Sequence, residues 1–159
     1  MEIRQFKVGE ERQMVALFQK AVHSINSADY SERQLQAWVP DELDIEAACA
    51  RIRRNKPFVV VSRGEILAYA DLQRDGYIDQ FFCHPDHLGK GIATQLFLHL
   101  KDVADVQGIE SLHANVSITA RPFFERMGFS VLEEQHVNVR GQVLTNYRMA
   151  ANFAKDGSV

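Results

Sequence analysis

Residues 81–94 read Phe81-Phe82-Cys83-His84-Pro85-Asp86-His87-Leu88-Gly89-Lys90-Gly91-Ile92-Ala93-Thr94, an apolar strand that passes through a glycine loop into a long helix. The strand stops at His84-Pro85, because proline has no N–H to give a ladder. Beyond the loop, Ile92, Ala93, Leu96, Phe97, Leu100, Val103 and Ala104 recur at three- and four-residue steps and trace one apolar helix face that ends near Gly108. Gly89 and Gly91 let a backbone come close to a ligand, and the first turn of a helix offers unpaired N–H groups at the positive end of its dipole. The stretch is therefore suited to a phosphate or pyrophosphate, with a plain tight turn as the alternative that glycines alone leave open. Two nucleotide loops are excluded. Lys90 is followed by glycine where a Walker loop needs Ser or Thr, and Thr94 stands where a dinucleotide fingerprint needs its third glycine.

Upstream, Tyr77 to Cys83 reads as one strand after the Asp75-Gly76 turn. Before it lie the β-branched run Phe58-Val59-Val60-Val61 and, past Arg63-Gly64, the alternating segment around Ile66 to Leu72. These three strands are expected to form an antiparallel meander. Nearer the N-terminus, Met14, Leu17, Phe18, Ala21, Val22 and Ile25 mark a first helix, Ser31 caps a short one ending near Trp38-Val39-Pro40, and Asp44 caps a third. Arg51, Arg53, Arg54 and Lys56 cluster near the end of that third helix, where cations suit the dipole, and are assigned no site. Downstream, Leu112 to Ser117 is a strand, Ala120 to Met127 a helix closed by Gly128, and the last strands form a hairpin around Arg140-Gly141. The order predicts an α/β fold with a mixed, mostly antiparallel central sheet flanked by helices, one domain over 1–149 and a frayed tail over 150–159.

Composition narrows the function. The chain has 159 residues, 46% of them hydrophobic and 25% charged, which suits one globular domain. A formal charge of -3 leaves no basic excess to grip nucleic acid or an anionic membrane. Cys49 and Cys83 form neither a disulfide framework nor a zinc spacing. The charged first residues and the lack of a long apolar run predict a cytoplasmic protein with no membrane partner.

A second segment, Ser117-Ile118-Thr119-Ala120-Arg121-Pro122-Phe123-Phe124-Glu125-Arg126-Met127-Gly128-Phe129, follows the glycine loop. The two together, in this order, resemble the GNAT family of N-acetyltransferases. That family's loop reads Gln or Arg, any, any, Gly, any, Gly or Ala. Gly91 and Ala93 match it, and Leu88 departs from it at the Gln or Arg position. The likeness extends through Tyr30, Ser31, Gln34 and Ala37-Trp38 to the closing Asn146-Tyr147-Arg148-Met149, as in a small bacterial subfamily.

The resemblance implies a GNAT fold with a splayed parallel strand pair, here the strands ending at Cys83 and Ser117. Acetyl-CoA lies between them as co-substrate, and no metal is needed. Gly89, Lys90, Gly91, Ile92, Ala93 and Thr94 would hold its diphosphate, and the backbone of Phe81, Phe82 and Cys83 would pair with the pantetheine arm. An amide near Cys83 would support the oxyanion, and Ser117 would bond pantetheine. Cys83 as a merely buried small residue is the simpler alternative. Phe124 stands where many relatives carry a tyrosine that protonates the departing thiolate, so that role is vacant or moved. A thiolate with a pKa of about 8 to 9 leaves without help.

The amine acceptor, a small molecule or a peptide, must lose a proton. Asp79, in the strand before Phe81, is the candidate base, with a salt-bridged carboxylate as the alternative. Tyr147 is a candidate acid or hydroxyl group, or else a core aromatic. Tyr30 and Trp38 would roof the acceptor pocket by stacking or cation–π contact, Trp38 otherwise anchoring its helix. A homodimer is the assembly many such relatives adopt. The expected activity is acetyl transfer to a primary amine by direct attack in a ternary complex. Leu88 and Phe124 motivate the competing possibility, a non-catalytic acyl-CoA-binding sensor or regulatory module.

Overall fold

The structure is a computed structural model and describes residues 1–153. Two of its helices start where side chains replace missing backbone partners. After β1 (Glu2–Gln5) and α1 (Glu11–Ile25), Ser31 Oγ accepts the Gln34 N–H at 3.2 Å while Gln34 Oε1 accepts the Ser31 N–H at 2.8 Å, a capping box that opens α2 (Glu32–Trp38). Asp44 accepts the Ala47 N–H at 3.0 Å and opens α3 (Ile45–Asn55). The chain continues through β2 (Phe58–Ser62), β3 (Glu65–Ala70), β4 (Tyr77–Ile78), β5 (Phe81–Cys83) and α4 (Ile92–Gln107). It closes with β6 (Ser111–Ser117), α5 (Arg121–Arg126), β7 (Ser130–Val139) and β8 (Gln142–Asn152). Among the described residues no helix is long and apolar enough to cross a membrane.

The strands form two four-stranded sheets, one ordered β1-β2-β3-β5 and the other β4-β6-β8-β7, which together give the expected mixed, mostly antiparallel arrangement flanked by helices. All their pairs are antiparallel except β4 with β6. Side-chain alternation along β2 and β3 feeds two cores. Val60, Ala68 and Ala70 join Leu96, Phe97 and Leu100 of α4 in one, and Val59 and Tyr69 join Met14, Phe18 and Val22 of α1 and Ile52 of α3 in the other.

The segment Tyr77 to Cys83, expected as one strand, is broken at Asp79-Gln80, and a buried carboxylate breaks it. Asp71 is fully buried, and its Oδ1 and Oδ2 accept the N–H groups of Asp79 at 2.9 Å and Gln80 at 2.8 Å. Those amides are lost to any sheet ladder. On one side of the break Tyr77 and Ile78 lie parallel to His113 and Ala114, and on the other Phe81–Cys83 pair with Ala70, Tyr69 and Ala68. One chain therefore leaves one sheet for the other, and a gap opens between β5 and the end of β6.

Gly76 permits the approach. At φ 91° its carbonyl accepts the His113 N–H at 3.0 Å, and a Cβ there would overlap the Ser111 carbonyl oxygen. The C-terminal boundary also differs from expectation. Ala150, Ala151 and Asn152, read as frayed, pair with His113, Leu112 and Ser111, because Ala151 is buried against the α4 core. The rest of the expected tail, 154–159, lies outside the described residues.

Candidate active site

The gap has two unpaired edges. Gln80 accepts the Asp71 N–H at 3.2 Å and the His84 N–H reaches Leu67 O at 2.7 Å, so even-numbered residues face β3. By alternation the main-chain groups of Phe81 and Cys83 turn into the gap. Across it, β4 covers β6 only at His113 and Ala114, leaving the edge of Asn115–Ser117 without a strand partner. A cavity of about 560 Å³ runs through this opening from one core to the other. Its walls include Phe81, Cys83, Ile92, Ala120 and Phe124 from the α4 side, and Phe18, Ala21, Tyr30, Trp38 and Leu144 from the α1 side.

At the mouth, Gly89 and Gly91 take φ values of 77° and 75°. No side chain caps α4, and its first internal bond is Gln95 N–H to Gly91 O at 3.0 Å. The N–H groups of Ile92, Ala93 and Thr94 consequently have no partner within the helix. A Cβ on Gly91 would meet nothing within 4 Å, so its backbone angle, not crowding, calls for glycine. Gly89, Gly91, Ile92, Ala93 and Thr94 line the cavity, and Leu88 lines it with 52% of its surface exposed. Lys90 does not line it, its ammonium instead lying 3.3 Å from His87 Nδ1.

Aromatic rings form the α5 side. Phe81 packs on Phe123 and Phe124, with ring centroids 5.5 and 5.8 Å away, and the buried Phe124 meets Phe129 edge-on at 5.0 Å. Phe82 turns to the opposite core, against Phe18 at 4.8 Å. Burial pushes the Cys83 thiol up to about 12. Ser117 Oγ accepts the Ala120 N–H at 3.0 Å and thereby ties β6 to α5, while the buried Thr119 Oγ1 has no hydrogen bond among the described residues.

Asp79 lines the cavity, but not as a free carboxylate. Arg51 grips it with Nε and Nη2, both at 2.8 Å, Asn55 Nδ2 donates at 2.7 Å, and Tyr77 OH lies at 3.5 Å. Burial works to raise its pKa, but the Arg51 and Asn55 hydrogen bonds outweigh that and hold it below the usual carboxylate range. A carboxylate so held is a poor proton acceptor, which corrects its expected role as free base. Asp71 behind it behaves in the opposite way: burial raises its pKa against the bonds from Asp79, Gln73 and Gln80.

Two other expected residues, Tyr147 and Tyr30, are held by contacts of their own, Tyr147 as the core aromatic that was its alternative. Tyr147 is not in the cavity wall, its ring lying under the Arg121 guanidinium at 4.6 Å and packing on the α4 core. Tyr30 is in the wall, edge-on to Trp38 at 5.7 Å, but it is a brace. Its hydroxyl donates to Thr145 O at 2.6 Å and accepts the Ile118 N–H at 2.9 Å, which leaves only its ring and that of Trp38 for a ligand.

Arg51 and Gln80 also line the cavity and were not anticipated. The four-residue spacing of Arg51 and Asn55, which puts both on one helix face toward Asp79, was the available signal. Gln80 is 5% exposed and its Oε1 has no partner among the described residues.

At the cavity mouth, which His87 lines, Glu65, His84 and His87 bring one carboxylate oxygen and two ring nitrogens within 4.8 Å of one another. Nδ1 of His84 accepts the Asp86 N–H at 3.1 Å and Nδ1 of His87 accepts from the Lys90 ammonium at 3.3 Å. Both rings turn Nε2 toward Glu65, at 3.6 Å from His84 and 3.8 Å from His87. The trio braces the loop against β3.

Comparison with known proteins agrees with this geometry. The acetyltransferase (GNAT) domain family matches residues 26–151. The protein named uncharacterized N-acetyltransferase YafP, of Escherichia coli (strain K12), is 30% identical over 149 residues, 94% of each chain. A structure described as a GCN5-related N-acetyltransferase, aminotransferase class II, from Rhodopseudomonas palustris superposes with a TM-score of 0.89 at 25% identity, covering 95% of this chain and 94% of its own. The yncA protein of Salmonella typhimurium, solved with its cofactor acetyl-CoA, shares the fold at a TM-score of 0.73 and 18% identity, covering 100% of this chain and 97% of its own. With a strand pair split by a buried carboxylate and a helix left uncapped at the mouth of the gap, the chain belongs to the GNAT family of acetyltransferases.

Proposed function

We propose that the protein moves the acetyl group of acetyl-CoA to a primary amine by direct attack in a ternary complex. The observation that carries this is the continuity of two unpaired strand edges with an uncapped helix start. Pantetheine is an extended arm bearing amides, and a diphosphate follows it. The arm fits as an added strand against Phe81 and Cys83, and the diphosphate suits the free amides from Gly89 to Thr94. The acetyl-CoA in the yncA structure supports the same co-substrate, and the name of the YafP relative supports nitrogen as the acceptor atom.

The amine nitrogen forms a bond to the thioester carbonyl carbon and the carbon–sulfur bond breaks, with the sulfur keeping the electron pair. Main-chain N–H groups at the β5 edge stabilise the oxyanion. The thiolate, with a pKa of about 8 to 9, departs without an acid, and Phe124 packs against the arm. Cys83, kept protonated by burial, is no nucleophile, so no acetyl-enzyme forms. Asp79 stays ionised and offsets the positive charge that grows on the attacking nitrogen, whose proton passes to water. The chemistry calls for no Lewis acid and suits the cytoplasm, where acetyl-CoA is met.

The test is thiol release from acetyl-CoA across a panel of primary amines, with mass spectrometry of product and protein. Amine-dependent release with an N-acetyl product is expected. Tight acetyl-CoA binding without release on any amine would leave a binding module, and acetylated Cys83 would overturn direct attack.

A further inference from the structure

Two polar side chains of the cavity wall have bonding capacity to spare, the half-exposed Arg51 and the buried Gln80, beside Asn26, Thr145 and Asn146. Arg51 is clamped on Asp79 through Nε and Nη2, and its Nη1, which has no hydrogen bond among the described residues, remains on a residue of the cavity wall. Gln80, the next residue after Asp79, supplies an acceptor oxygen that is buried and unpartnered. A buried polar atom without a partner is costly, so a bound molecule is the natural source of the missing bond. Arg51 asks for an anionic oxygen and Gln80 for an N–H donor. Around them stand Phe18, Ala21, Ile25, Trp38, Val139 and Leu144, which offer no further charge. The thioester arm shares the same volume of about 560 Å³, so the second occupant is small.

Resting on the acetyl-transfer function above, we infer that the acceptor is a free α-amino acid with an apolar side chain, its carboxylate on Arg51 Nη1, its amine donating to Gln80 Oε1 and its side chain against the α1 wall. An α-amino acid carries both the anion and the donor on one small molecule. A lysine side chain or a polyamine brings a second cation to the guanidinium, and a simple amine leaves Nη1 unpaired. The product is the N-acetyl amino acid, formed as the amine loses one proton and CoA leaves as thiolate.

The experiment compares L-phenylalanine, L-phenylalaninamide and phenethylamine as acceptors, together with L-leucine, in the native protein and in Arg51→Gln. A charge-assisted bond to the carboxylate corresponds to a preference for phenylalanine over phenethylamine of about 10-fold or more in kcat/KM, with the amide between them. In Arg51→Gln that ratio falls to about 1, whereas damage to the fold lowers all acceptors alike. Gln80→Leu raises KM for every acceptor but leaves the Kd of CoA in place. A weakened CoA Kd would instead give Gln80 to pantetheine and remove it from the acceptor site.

Phenethylamine used as well as phenylalanine would overturn the inference and leave acetyl transfer standing. Should no amine release thiol, acetyl transfer itself fails. Calorimetry of phenylalanine and phenethylamine into the CoA-saturated protein then decides the site, with tighter phenylalanine supporting it and equal or absent binding refuting it.

Discussion

Replacing Asp71 with asparagine tests the origin of the gap. The carboxylate receives two main-chain N–H groups, from Asp79 and Gln80, while fully buried. Asparagine keeps one oxygen and turns an NH₂ toward the other amide, so one charge-assisted bond, worth about 1.5–3 kcal/mol, is lost and a buried N–H left unpaired at about 1–3 kcal/mol. Relief of the buried charge, which raises the Asp71 pKa, returns part of that. A net cost of about 3 kcal/mol corresponds to a fall in Tm of about 9 °C for a chain of this size. The freed Gln80 amide also loosens the turn that aims Phe81 into the gap. Thermal unfolding followed by circular dichroism, with acetyl-CoA titration by calorimetry, should therefore show a lower Tm and weaker binding. An unchanged Tm together with an unchanged Kd would refute the claim that this carboxylate holds the strands apart.

Gly76→Ala should cost about 3 kcal/mol, because it adds left-handed strain to overlap with the Ser111 carbonyl, and denaturant unfolding with an unaltered midpoint would contradict that. Gly91→Trp should abolish acetyl-CoA binding in calorimetry while the fold persists, whereas undiminished affinity would move the diphosphate elsewhere. Alkylation of Cys83, followed by peptide mass spectrometry, should show no rate midpoint between pH 7 and 10, since burial holds its thiol up at about 12; a midpoint near 8.5 would restore a reactive thiol. Asp79 has a folded pKa below its unfolded one, so its stabilisation is complete above the unfolded value and lost as pH falls through the folded one. The Tm difference between the native protein and Asp79→Asn should accordingly be widest near neutrality and shrink below about pH 4. A difference that stays constant from pH 7 to 3 would refute the Arg51 clamp.

What was legible in the sequence was local. Ser31 with Gln34, Asp44, and the glycines at 89 and 91 announce caps and turns through residues a few positions apart. The coenzyme half of the site follows from such signals, because its donors are main-chain groups placed by glycine. The acceptor half rests on side chains that meet from far apart. Arg51 reaches Asp79 across 28 positions, and Tyr30 bonds main-chain atoms 88 and 115 positions away, so local spacing could place Arg51 and Asn55 on one helix face but not name these distant partners. Asp71 was hidden for a different reason. In an alternating strand it reads as one more polar residue, and only its burial shows it as the cause of the break. Ala150 to Asn152 looked like a tail because alanine carries little pattern, although Ala151 is core.

The bare margins of β5 and β6 sit in the middle of the molecule, between two sheets, and not on its rim. An exposed edge recruits neighbouring chains and invites aggregation. Here a visiting polypeptide would have to thread the interior, whereas a slim cofactor enters from the open end. The protein thus retains the stickiness of a raw β-edge for its own use and stays protected from self-association through it.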